Sequence, residues 1–331
     1  MIKRIIALCL LLASSSTFAL KINAAGASFP YAIYSKWFSE YSKLHPEVQF
    51  NYQPIGSGGG IRQLLKETVD FGASDAPMKA KDKKKAKWPV LHVPMVLGAV
   101  AIAYNHPQVP DQLKLDGPAL ADIYLGKITK WNAAQIAALN PGVKLPSDDI
   151  LVVRRADGSG TTKNFADYLV EVSTEWKQRV GTGKSLRWPT GVGAKGNDGV
   201  TSIVSNTKGS ITYMDLAHAR KNNIKTVALK NKSGVFINPT VEAVSASAKE
   251  FKTDGKELTG SLINSSAKDS YPISALTYIL LPMVEKDQKQ VEIYKFVEWA
   301  ISKGQSYAKE LYYAPLPTEL SKKVLERVKS L

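Results

Sequence analysis

Short apolar runs of strand character alternate with segments of helical period along most of this 331-residue chain, and that alternation restricts it to α/β architecture. Between Tyr31 and Leu44, the residues Ile33, Trp37, Phe38, Tyr41 and Leu44 recur at spacings of three and four. The pattern predicts an amphipathic helix that starts at Pro30 and stops before Pro46. Residues 48–52 alternate as a strand, and 61–68 return to helical spacing directly behind Gly56-Ser57-Gly58-Gly59-Gly60. A second such junction follows: 150–153 reads as a buried strand, 157–161 as a turn, and Phe165, Tyr168, Leu169 and Val172 as one helical face. Near the end, Ile293, Phe296, Val297 and Ala300 mark one helix. Leu320, Val324, Val328 and Leu331 mark another, with Thr318 as its expected cap. The length suits two domains of roughly 100 to 200 residues each. Long apolar runs at 91–104 and 273–283 bracket a middle section with elements of its own, so they are the expected crossovers between the two.

Charge then narrows the ligand. Lys and Arg number 44 against 29 Asp and Glu, a net +15, which directs attention to an anionic partner. One cysteine and four histidines are too few for a Cys/His zinc site, and a single cysteine forms no disulfide within the chain. No metal or cofactor is expected. The start of the chain reads as a secretory signal peptide: Lys3 and Arg4, an apolar run over 5–12, then small residues up to Ala19. Cleavage after Ala19 would remove Cys9. The rival, a lipid anchor on Cys9, places the bulky Leu8 where a small residue belongs. No later stretch approaches the roughly 20 apolar residues of a membrane span. Export weighs against nucleic acid as partner, and the aromatic residues do not interleave with the basic run at 79–87, which reads as a solvated helical face.

Three places repeat one design, a tight glycine turn and a hydroxyl followed by a helix start: 26–30, 56–60 and 157–161. A helix N-terminus carries unpaired N–H groups and about half a positive charge. Glycine lets the backbone approach an anion closely, while Ser and Thr add donors. Arg154 and Arg155 precede the third junction. On a strand they point to opposite faces, and Arg155 is expected to present its planar fork to an oxyanion, with Asp157 orienting it. The run 69–77, with Asp70 and Asp75, and the turn at Asp157 place carboxylates near the same anion, where repulsion in a dry cleft is severe. An anion that keeps a proton, such as monohydrogen phosphate, resolves the conflict because it donates its O–H to the carboxylate. Sulfate has no proton to give at neutral pH. An Asx turn before Ala76-Pro77 is the alternative reading of Asp75.

The runs at 26–30, 52–60, 69–77, 123–128, 151–161 and 188–199 resemble, in order and over nearly the whole chain after the signal, the periplasmic phosphate-binding proteins of phosphate ABC transporters, the PstS type. The run Val152-Val153-Arg154-Arg155-Ala156-Asp157-Gly158-Ser159-Gly160-Thr161 carries most of that resemblance. It implies a two-lobed type II periplasmic-binding-protein fold with two crossover hinge strands, a signal at 1–19, lobe I at 20–95 plus 273–331, and lobe II at 96–272. It implies that Ser28, Phe29 and Ser57 supply hydroxyl and backbone donors, Arg155 the guanidinium, and Ser159, Gly160 and Thr161 the second lobe's donors, with Asp75 accepting the proton of phosphate. The expected partners are inorganic phosphate and an inner-membrane phosphate permease. A periplasmic monomer without enzymatic activity is expected.

Several rivals are weaker on the residues. Gly191, Gly193 and Gly196 satisfy a dinucleotide-binding spacing, but no convincing strand precedes them. Gly183-Lys184-Ser185 resembles the end of a P-loop, yet Gln178 occupies the place of its first glycine. Neither Ser57 nor Ser159 has a histidine close in sequence, which argues against a hydrolase. An exported adhesion or signalling protein of the same fold, gripping anionic polymer or lipid through 79–87, is the alternative from another functional class.

Overall fold

The computed structural model describes residues 19–111, 113–253, 257–285 and 287–331. The signal expected over 1–19 therefore lies outside the described residues, apart from Ala19. The helix Tyr31–Leu44 forms where its period predicts, with Ile33, Trp37, Phe38 and Tyr41 buried. Its aromatic face meets Phe50 and Phe296 at ring-centroid distances of 4.7 to 6.0 Å. Each fully buried ring of this kind contributes about 1.5–3 kcal/mol through area removed from water. The polar ends of these rings are also satisfied, since Trp37 Nε1 donates to Gly304 O at 2.7 Å and Tyr41 Oη donates to Glu292 Oε1 at 2.6 Å.

One hydrogen-bonded sheet runs through both halves of the molecule. Its order is Val48–Gln53, Leu20–Gly26, Phe71–Ser74, Ile273–Pro282, Val90–Asn105, Ser210–Asp215, Leu151–Arg155 and Val192–Ala194. Within the first half, Leu20–Gly26 pairs in parallel with Val48–Gln53 and with Phe71–Ser74. Within the second, Leu151–Arg155 pairs in parallel with Ser210–Asp215 and Val192–Ala194. The strand Val90–Asn105 joins the two halves. Its early residues pair antiparallel with Ile273–Pro282 and its last six with Ser210–Asp215. Both long apolar runs are thus paired with each other at the junction. Nearly every residue of the two is buried, which explains why they read as continuous rather than alternating apolar sequence.

Parallel strands leave their carboxyl ends on one side, the position at which open α/β sheets take ligands. Here those ends are Gly26, Ser74 and Arg155. Two boundaries differ from expectation. The helix expected from Ile61 begins at Ser57 and runs to Leu65, because Gly58, Gly59 and Gly60 are its first turn. Gly60 lies so close to the first strand that a Cβ there would sit 2.4 Å from Ala25 O. At the C-terminus, Thr318 is the first residue of the helix Thr318–Lys329, and Pro317 occupies the cap position without a side-chain bond. The basic run at 79–87 forms only the one-turn helix Ala80–Lys83, so it is not the extended helical face its composition suggests. Its Lys83 pairs with Glu257, and Lys87 lies over the Trp88 ring and 3.3 Å from Glu67.

Candidate functional site

The three glycine–hydroxyl junctions converge at the seam between the halves. Ser28 follows the first strand, Ser57 opens the helix Ser57–Leu65, and Ser159 caps the helix Gly160–Val172 through its Oγ, which accepts the Thr162 N–H at 3.0 Å. Ser28, Phe29, Ser57, Asp75, Arg155, Ser159 and Thr161 are all buried. Phe29 is fixed from the C-terminal side of the chain, with Tyr313 Oη donating to its carbonyl at 2.6 Å and the two rings meeting edge to face.

Contacts cross the seam directly. Ser57 Oγ accepts the Gly160 N–H at 3.1 Å from the second half and the Asp75 N–H at 3.2 Å from its own. With both acceptor positions engaged, its hydroxyl proton is what remains to donate. Ser28 Oγ is held in the same way, accepting from the Asn197 backbone N–H and from Asn197 Nδ2, each at 3.1 Å. Glycines make the approach feasible. The Gly58 N–H donates to Gly158 O at 2.6 Å, and a Cβ on Gly160 would stand 2.5 Å from Ser57 Oγ. Gly56, at φ 83°, adopts the left-handed region, and a Cβ there would fall 2.1 Å from Asp157 Oδ2.

The charged groups are arranged asymmetrically. Arg155 lies in the seam while Arg154 lies 5.9 Å from the Trp188 ring. Arg155 donates to Asp157 in a two-pronged pair, Nε to Oδ1 at 2.7 Å and Nη2 to Oδ2 at 2.5 Å. Its Nη1 reaches Asn197 Oδ1 at 3.2 Å and Thr161 Oγ1 at 3.4 Å. Burial pushes the Asp157 carboxyl up, but the bond and charge of Arg155, with the Gly196 N–H at 3.0 Å, leave it below the ordinary carboxylate range. Asp75 has no such cation in contact. Burial raises its carboxyl to about 7, against the smaller lowering effects of the Thr277 hydroxyl and of the Arg155 charge. Thr277 Oγ1 donates to Asp75 Oδ1 at 3.1 Å, while Oδ2 stands 3.5 Å from Ser57 Oγ.

Sequence reasoning missed four residues here: Asn197, Thr277, Asn164 and Lys184. Asn197 lies in the first turn of the helix Gly196–Asn206, inside a run that carried the family resemblance, yet nothing local marks its bond to Ser28. Asn164 Nδ2 donates across the seam to Asp75 O at 2.8 Å. Lys184, from the run that failed as a P-loop, crosses in the other direction to Pro77 O at 2.8 Å, and burial lowers its ammonium to about 8. Gly191 and Gly196 flank the strand Val192–Ala194 rather than following a strand, so their spacing has no dinucleotide-binding context. The histidines are engaged elsewhere: His45 stacks on Tyr41, His92 Nε2 accepts the Met78 N–H, His106 bonds Asp148, and His218 bridges Asp198 and Asp215.

A profile described as a PBP superfamily domain matches residues 13–303. The chain is 45% identical over 317 residues to the phosphate-binding protein PstS of Pasteurella multocida, covering 93% of this chain and 91% of that protein. It is 37% identical to the PstS of Methanocaldococcus jannaschii, covering 91% and 84%. The chain belongs to the PstS family of phosphate-binding proteins. Solved structures share its fold. A putative phosphate ABC transporter substrate-binding protein with bound phosphate from Clostridium perfringens aligns with a TM-score of 0.67 at 17% identity, over 90% of this chain and 100% of that one. The phosphate-bound PfluDING protein aligns at 0.73 and 21%, over 92% and 93%. The two-lobed binding-protein architecture expected from the sequence is therefore the observed one. Among the described residues, no helix is long and apolar enough to cross a membrane.

Proposed function

We propose that this chain captures monohydrogen phosphate between its lobes and delivers it to an inner-membrane phosphate ABC permease, without covalent chemistry. The observation that carries this reading is the pairing of Ser57 with Gly160 and of Ser28 with Asn197 across one buried seam that also holds Arg155 and Asp75. An anion that meets donors from both sides would add to these direct seam contacts and so favour the closed state, which is the differential contact that hinge closure requires. The lobes we assign are residues 20–95 plus 273–331 and residues 96–272, with the paired runs of Val90–Asn105 and Ile273–Pro282 as the hinge. The permease would read the closed form. Residues 1–19 would direct export to the periplasm, where the protein would act as a monomer.

The ligand set we assign is Ser28, Phe29, Ser57, Asp75, Arg155, Ser159, Gly160 and Thr161, with Asp157 orienting Arg155. The proton of phosphate goes to the Asp75 carboxylate, which a sulfate would face with no proton between two negative oxygens. Calorimetric titration of the phosphate-stripped protein with phosphate, and in parallel with sulfate, at two salt concentrations tests the reading. Saturable one-to-one phosphate binding that changes little with salt is expected. Binding that collapses with salt and survives Arg155→Ala would instead place the interaction on the basic surface.

A further inference from the structure

Asp75 follows the strand Phe71–Ser74, and the strand Ile273–Pro282 runs antiparallel beside it with Tyr278 opposite Ser74. One step beyond that pair brings Thr277 opposite Asp75. On its other side the same strand pairs with Val90–Asn105, and the register slips between Thr277 and Tyr278: Thr277 faces Val96, whereas Tyr278 faces Pro94. Pro94 has no N–H to give the ladder, and Met95 is the extra residue of the resulting bulge. Met95 O is taken up by Gln305 Nε2 at 2.9 Å. The irregularity thus sits at the residue whose hydroxyl meets the site, a usual place for a bulge to re-aim a side chain. Thr277 is fully buried and donates through Oγ1 to Asp75 Oδ1 at 3.1 Å.

We propose that Thr277 is a specificity-determining positioning residue: by donating to Asp75 Oδ1 it fixes the rotation of the carboxylate, so that Oδ2, which accepts from Ser57 Oγ at 3.5 Å and keeps a second lone pair, is the oxygen offered to the proton of the bound anion. The inference rests on the phosphate-binding reading above and names the residue that aims its proton acceptor. A carboxylate has two equivalent oxygens and a soft terminal torsion, so an unanchored Asp75 could present either one or turn both toward the anion. The hydroxyl removes that freedom and disperses charge on Oδ1, the oxygen on the side of Thr277 rather than of Ser57. Other groups acting on or near Asp75 are Arg155, Lys184 and Asp215, with the phenols of Tyr34, Tyr52 and Tyr313. Of these, the Tyr34 phenol interacts with Thr277 itself, so Thr277 stands between that phenol and Asp75 Oδ1.

The test compares parent, Thr277→Val, Thr277→Ala and Thr277→Ser, each alone and with Asp75→Asn, by calorimetric titration with phosphate and with sulfate from pH 5.5 to 8.5. Thr277→Val is expected to weaken phosphate binding about 10-fold and to move the pH at which sulfate begins to bind upward, because the donor that favours the carboxylate is gone. Thr277→Ser restores both values. In the Asp75→Asn background the Thr277 effect disappears, which a merely structural role would not produce. Thr277→Ala supplies the same comparison if valine does not pack at this position. Unchanged phosphate affinity and sulfate midpoint in both hydroxyl-less variants of a phosphate-selective parent would overturn the inference alone. A parent that bound the two anions equally at pH 8 would overturn the reading beneath it as well.

Discussion

The two carboxylates of the site, one from each half of the sheet, carry the same chemistry in opposite environments. Asp157 is clasped by Arg155 through two short bonds and is held below the usual carboxylate range. Asp75, more deeply buried than Asp157, receives only hydroxyl bonds at its carboxylate, and burial pushes it up to about 7. The difference teaches that the seam separates two tasks. One half supplies a guanidinium whose own counter-charge is already in place, so it is pre-oriented. On the phosphate-binding reading proposed above, the other half would supply an acceptor whose charge is left uncompensated until a proton arrives.

Substitutions break this comparison in graded ways. Arg155→Ala should have the largest effect, lowering phosphate affinity by roughly 10²–10³-fold, because it removes the guanidinium and leaves Asp157 without its counter-charge. The same variant should lose thermal stability, measurable by calorimetric unfolding. Asp75→Asn should act on selectivity instead. Sulfate affinity should rise by roughly 100-fold as the repulsion is replaced by an amide donor, while phosphate changes far less, as competition titrations would reveal. Gly160→Ala should weaken phosphate binding by about 10-fold or more, since a Cβ 2.5 Å from Ser57 Oγ strains the closed contact by roughly 1–3 kcal/mol. That clash exists only where the halves meet, so small-angle scattering in the presence of phosphate should show a more open shape than the parent adopts. Asn197→Ala should be mildest, about 5-fold in affinity, through loss of the Nδ2 donor to Ser28 Oγ and of the Oδ1 acceptor for Arg155 Nη1, while the backbone N–H still holds Ser28.

Much of this arrangement was legible in the chain itself, because its signals are local. The helix Tyr31–Leu44 follows from period alone, and the junctions that converge at the seam are visible as glycine and hydroxyl before a helix start. The choice of Arg155 over Arg154 follows from strand alternation. The residues that were missed depend on distant partners. Asn197 meets Ser28 from 169 positions away, and Thr277 meets Asp75 from 202. A threonine in an apolar strand looks like any β-branched core residue until register sets what faces it. The first turn of the helix at Ser57 was misplaced for the converse reason: three consecutive glycines read as a loop by propensity, but packing against Ala25, Gly26 and Gly158 requires residues without a Cβ there.

Sulfate affinity as a function of pH tests the central claim most directly, because sulfate itself brings no proton at any pH near neutrality. Above about 7 Asp75 is a carboxylate and opposes the anion; below it, the neutral carboxyl holds a proton that it can donate. Calorimetric titration of the parent should show phosphate bound and sulfate rejected at pH 8, with sulfate affinity rising as the pH falls through about 7. The rise should be absent in Asp75→Asn. Equal affinity for the two anions at pH 8, or a sulfate affinity flat across this range in the parent, would contradict the account.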